Sequence, residues 1–233
     1  MALTYENVLD DSILLHLENH LAFADFIDAQ TGGGSDQAKV DLDRRQITFL
    51  PRLVKRNEVV VPMHIAAVVQ ADPAVARWAW AMPEYAEKPI SILSSRVRDF
   101  GTGQGIAQLA EAEHPVPDGQ VATHPLALAA VACRITGMPT AHLVPAGTAQ
   151  VVLLLDPAGF MPPAPTVASV TALVGNATGT GLVSDARRAV QGYAQGRGIS
   201  YQWGEGFGSL QLAVQDGTVT VAFGEDGAPQ VVG

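Results

Sequence analysis

The chain has a single cysteine, Cys133, so no internal disulfide can form. It lies in LALAAVACRI, among small apolar residues, a setting that predicts a buried and inert thiol. A catalytic thiolate would need an electropositive and partly open site. Charge is scarce as well. Only 16% of the residues are charged, against about 25% in an average soluble protein. A charge-poor surface suits burial against a protein partner or a second copy of the chain. The charge that is present is mostly acidic, 23 residues against 14 basic ones for a net −9. A phosphate backbone would be repelled by that field, which argues against nucleic-acid binding. No apolar run approaches the ~18 residues of a membrane span. MALTYENVLDD shows neither a basic leader nor an apolar signal core, so the expectation is a cytoplasmic protein without membrane association.

Catalytic signatures are equally sparse. There is no Gly-x-Ser-x-Gly elbow and no G-x-x-x-x-G-K-[ST] loop. The basic residues Lys39, Arg44, Arg45, Arg52, Lys55 and Arg56 cluster, but Asp36, Asp41, Asp43 and Glu58 interleave with them. They read as a solvated hairpin surface.

What the chain does have is clear patterning. Ile13, Leu17, Leu21 and Ala24 recur at helical spacing, which predicts a helix over 12–29 that TGGGS stops. VDLDRRQITF predicts a hairpin near Asp43–Arg45. VVVPMHIAAVVQ and VARWAWAMP predict two strands about the turn ADPA, the second carrying Trp78 and Trp80 on one face. A helix over 89–100 would start at Pro89 and be capped by Gly101. A short helix over 103–112 follows. HPLALAAVACRITGMP then predicts a central helix, with Thr123 as N-cap, Pro125 in the first turn and Gly137 as C-cap. LVPAGTAQVVLLLD predicts two strands about a turn.

A Pro-rich linker is expected at 158–165, between a domain of residues 1–157 and a smaller unit of residues 166–233. The smaller unit reads as two helices and a three-stranded antiparallel meander, with Asp216-Gly217 as its hairpin turn. The expected class is therefore α+β, with antiparallel sheets covered by helices and a C-terminal helix-plus-meander unit.

Three constellations bear on chemistry. Gly175, Gly179 and Gly181 form G-x-x-x-G-x-G, which resembles the nucleotide turn of short-chain dehydrogenases. Tyr193 and Arg197 imitate the spacing of that family's Tyr-x-x-x-Lys pair, but arginine cannot replace the lysine. No acidic residue follows at about 20 positions to hold a ribose. The residues after Gly181 alternate like a meander, whereas a dinucleotide fold needs parallel strands joined by crossovers. Thr166 as a helix start and Gly175-Asn176 as a helix stop explain the stretch more simply, and no cofactor is expected. His16 and His20, four apart in HLENH, would share a helix face as a zinc pair does, but no third ligand is identifiable. His64, His114, His124 and His142 are scattered. Finally, Arg77, Trp78, Trp80 and Tyr85 in RWAWAMPEY offer a stacking surface for a ligand or partner, with core packing as the competing role of the tryptophans.

VDLDRRQITF, RWAWAMPEY and SRVRDFGTGQGIAQL together resemble an uncharacterised bacterial family of unknown function. Its members carry a Trp-x-Trp-Ala-x-Asn/Pro segment followed by a helix ending in an Arg-x-x-Gly type sequence. The resemblance covers about residues 10–156, and Met82 stands where the pattern has asparagine. It implies a fold and no reaction. The functional expectation is a non-enzymatic binding or protein-interaction module. The alternative is a small-molecule enzyme with a nucleotide or metal site between its two domains.

Overall fold

A computed structural model describes residues 2–53 and 56–232; Lys55 of the basic cluster lies outside them. The chain divides into two compact units, Asn19–Pro162 and Met1–Glu18 with Pro163–Gly233. The class is α+β, and every strand pair among the described residues is antiparallel. Helix α1 (Tyr5–Thr31) supplies residues to both units. It starts earlier than its apolar stripe predicts, because Thr4 and Asn7 exchange backbone-to-side-chain hydrogen bonds at 3.2 and 3.3 Å. This reciprocal cap places Asp10, Asp11 and Ser12 inside the helix rather than at its start.

In the Asn19–Pro162 unit, β3 (Val59–Ala71) is the hub of a curled half-barrel sheet. Its beginning pairs with β2 (Gln46–Phe49), which pairs with β1 (Ala38–Asp41). Its end pairs with β4 (Ala74–Trp78), followed by β5 (Glu113–Pro115). Residues Met63–Gln70 pair with β7 (Ala149–Leu155), which carries β6 (Thr140–Ala146) on its far edge. The register shifts between Ile65 and Ala67. A bulge there bends so long a strand, and the freed Ala66 carbonyl accepts from the buried Ser94 hydroxyl at 2.7 Å. Helix α2 (Ile92–Gln104) carries Ser94. It runs through Gly101 to a left-handed Gly105 cap. Gly101 is not the cap: a Cβ on it would stand 2.5 Å from Leu109 Cβ, so the residue serves the close approach of α3 (Ala107–Ala110). Helix α4 (His124–Thr136) follows its sequence signals and is buried almost all round, with Cys133 sealed inside and its thiol pKa pushed up by burial. Phe23, Ile27, Ile47, Phe49, Met63 and Leu153 belong to the core within the half-barrel.

In the other unit, α5 (Val167–Gly179) begins with a capping box between Thr166 and Ser169. Helix α6 (Ala186–Arg197) begins at Asp185, whose carboxylate accepts from the Arg188 N–H at 3.1 Å. The sheet that follows has four strands rather than three: β8 (Tyr201–Trp203), β9 (Ser209–Val214), β10 (Gly217–Phe223) and β11 (Pro229–Val232). Its order is β11-β10-β9-β8. Val170, Leu173, Val190 and Tyr193 from the helices meet Leu210, Leu212, Val219 and Val221 from the strands.

Candidate functional site

The Asn19–Pro162 unit contains a cavity of about 410 Å³. Helix α1 contributes His20, Phe23 and Ala24, whose spacing puts them on one helical face. Phe49 at the end of β2 and His142 and Leu143 on β6 form the wall beyond. The loop after α1 brings Ser35 and Asp36 to the rim. That loop is pinned by Thr31, whose hydroxyl donates to the Ile27 carbonyl and accepts from the Gly34 N–H, both at 2.8 Å. Gly34 must be glycine, since a Cβ there would lie 2.0 Å from the Leu50 carbonyl oxygen. The TGGGS stretch therefore does more than end a helix: it sets the cavity rim.

Two imidazoles approach this cavity from different elements. The His142 ring meets Phe49 edge to face at 5.2 Å. Burial, aided by the nearby His20, pushes the His142 pKa down to about 4, so its ring is neutral at pH 7. His20 Nδ1 lies 3.4 Å from the Ala141 carbonyl oxygen. Asp36 at the rim pairs with Arg52 at 2.5 Å. An apolar wall with a few hydrogen-bonding groups can hold a small molecule and fix its orientation.

A second pair of imidazoles lies deeper in the same unit. His114 on β5 and His124 at the start of α4 place their Nε2 atoms 3.1 Å apart. Both are buried, and burial lowers both pKa values, that of His124 to about 4. One Nε2 must donate and the other accept, so the two rings cannot both be charged. With their pKa values lowered by burial, both are neutral at pH 7 and one N–H lies between them.

Apart from His20, the residues singled out by sequence fall elsewhere. The chain leaves β4 at Trp78, so Trp78 and Trp80 do not share a strand face. Trp78 is 0% exposed, and its indole N–H donates to the Gln108 carbonyl at 2.8 Å. It is a core residue. Trp80 sits half-buried in a 3-10 turn over Ala79–Ala81, with the Arg98 guanidinium 5.4 Å from its ring. Arg77 is ion-paired with Glu113 at 2.7 Å, and Tyr85 packs against the Phe23–Phe49 core. The four do not form one surface around Trp78. His16 is buried, while its helix neighbour His20 reaches the cavity. Among the described residues, no group of three or more His, Cys, Asp or Glu is placed to hold a metal ion.

Gly175 lies inside α5, Gly179 ends it, and Gly181 follows at φ +67°. Gly175-Asn176 does not stop the helix, and a nucleotide turn would need a strand where α5 stands. Sequence reasoning passed over His142 and the His114–His124 pair. Their partners are far away in the chain, and no spacing signal links them.

No helix among the described residues is long and apolar enough to cross a membrane. No curated protein and no solved structure matches the chain. A family model described as a family of unknown function (DUF6882) matches residues 6–158, which takes in the half-barrel and both imidazole pairs. The chain belongs to this family of unknown function.

Proposed function

We propose that the Asn19–Pro162 unit is a non-enzymatic binding module. Its ligand is a small molecule with an apolar body and one hydrogen-bonding group. The observation that carries this reading is the convergence of His20 and His142 on a cavity otherwise walled by Phe23, Ala24, Phe49 and Leu143. The volume lies within the range of small-molecule sites. An imidazole with a pKa near 4 is a weak base at neutral pH, which favours hydrogen bonding over proton abstraction. The test is a fragment library of apolar amides, alcohols and acids, read by imidazole NMR. Binding should move His20 and His142 and leave His114 unmoved. Leu143→Trp should fill the cavity and abolish the response. A library that moves neither imidazole would refute the reading.

A second copy of the chain is the partner that another observation favours. Strand β1 is an outer strand, and Val40 and Leu42 on its hairpin, with Leu53 beyond β2, expose apolar side chains. Outer strands with apolar surface invite pairing. Sedimentation of Val40→Lys plus Leu42→Lys should show a monomer where the parent chain shows a dimer.

A further inference from the structure

The unit formed by Met1–Glu18 and Pro163–Gly233 has a cavity of its own, about 420 Å³ in volume, that the family match leaves largely outside. Its aromatic wall is Trp203 and Phe207, edge to face with ring centroids 5.5 Å apart. Phe207 is unusual in two respects. It is 63% exposed, and its backbone has φ +57°, in the left-handed region. The left-handed backbone costs stability, and the exposed ring contributes little to a core. The loop is nonetheless held in place: the Arg187 Nε–H donates to the Phe207 carbonyl at 3.2 Å, while the Arg187 guanidinium lies 5.2 Å from the Phe223 ring centre. A strained and solvent-facing aromatic that is fixed by its neighbours points to a binding role.

The polar lining narrows the ligand. Arg187 and Arg188 face Asp11 and Asp185, so the formal charges cancel. Arg188 and Asp11 are already paired at 2.5 Å. A charged ligand gains little from such a site. Gln191 and Gln195 both donate to the Tyr201 hydroxyl, at 3.3 and 3.1 Å, which orients their amides beside the cavity. The site thus offers the exposed Phe207 ring, with Trp203 set edge to face beside it, together with oriented donors and acceptors of no net charge. A pyranose has matching chemistry, with an apolar C–H face and a rim of hydroxyls. We propose that this cavity binds a neutral mono- or disaccharide, with the sugar face against the exposed Phe207 ring, Trp203 at its edge, and hydroxyls bonded to Asp185 and the glutamine amides.

The test uses the full chain and follows its indole N–H resonances during titration with glucose, galactose, mannose, N-acetylglucosamine, maltose and cellobiose. At least one sugar should shift Trp203 saturably at millimolar concentrations and leave Trp78 unmoved. Phe207→Gly should weaken that binding at least tenfold. The melting temperature should hold or rise, because glycine accepts the left-handed backbone. A Phe207→Gly variant that melts lower would make the aromatic a structural residue and overturn the proposal. So would sugars that leave Trp203 unshifted, or a shift produced by inorganic phosphate and by no sugar.

Discussion

His114 Nε2 stands 3.1 Å from His124 Nε2 in the interior of the half-barrel unit. Two imidazolium ions cannot occupy that arrangement, since each would present a proton to the other. The doubly charged pair is excluded, and burial lowers both pKa values below the ordinary 6.5, with the His114 charge adding to the shift at His124. Between pH 6.5 and about 4 the unfolded His124 binds a proton that the folded one refuses. Stability from this source is complete above pH 6.5 and is lost as pH falls toward 4. Buried Asp10 and part-buried Glu18 act in the opposite sense, because loss of water raises their pKa values. The comparison is thus between parent and variant. The stability of His124→Gln should fall less steeply between pH 7 and pH 5 than that of the parent, by urea denaturation. Parallel slopes would mean that the pair does not titrate in this way.

Ser94 makes a second test of the half-barrel. Its buried hydroxyl donates to the Ala66 carbonyl at the bulge and accepts from the Trp80 N–H at 3.3 Å. Ser94→Ala would leave a buried carbonyl unsatisfied, at a cost of about 1–3 kcal/mol. Denaturant unfolding should show that loss. Tryptophan emission should also change, because the Trp80 N–H loses the Ser94 hydroxyl.

Local signals were legible where the physics is local. Thr123, Pro125 and Gly137 mark the ends of α4, although the Thr123 side chain makes no cap bond, and alternation located β8, β9 and β10. Tertiary demands overrode the same signals elsewhere. Gly101 looks like a helix stop, but it is a contact residue inside α2. Trp80 continues an alternating pattern, yet the chain has already turned into a 3-10 segment. The short PQVV strand at Pro229–Val232 owes its existence to its pairing with β10. The site was the least legible part. His20 and His142 meet only because β6 and α1 pack together, and nothing in either neighbourhood announces the other.

Two glycines within helices should respond in opposite directions to alanine. At Gly101 an added methyl would stand 2.5 Å from Leu109 Cβ and 2.8 Å from the Ala110 backbone nitrogen. Overpacking of that kind costs about 1–3 kcal/mol. At Gly175 a methyl would meet nothing within 4 Å, and the residue is helical. Gly175→Ala should therefore stabilise the protein by about 0.5–1 kcal/mol. Thermal melts of the two variants should move to opposite sides of the parent. A loss at Gly175 would mean that the glycine serves something other than the helix.

Asp10 is an acidic residue buried in a helix, which is expensive unless its partners repay the burial. Its carboxylate accepts from the Ser184 N–H at 2.9 Å, the Ser184 hydroxyl at 2.6 Å and the Asp185 N–H at 3.0 Å. These donors lie where the chain enters α6, so one side chain of α1 holds the start of another helix. Asp185 has the more familiar task of capping α6 through its own carboxylate. The two acids should differ in cost. Asp185→Ala removes one exposed cap, for about 1 kcal/mol. Asp10→Ala strands two backbone donors and a hydroxyl in a buried site, for about 2–4 kcal/mol. Asp10→Asn should fall between the two, because its amide oxygen can still accept while its NH₂ faces donors. Urea denaturation of the three variants gives the ranking. An Asp10→Ala variant no less stable than Asp185→Ala would show that water replaces the carboxylate, and that the entry to α6 does not depend on α1.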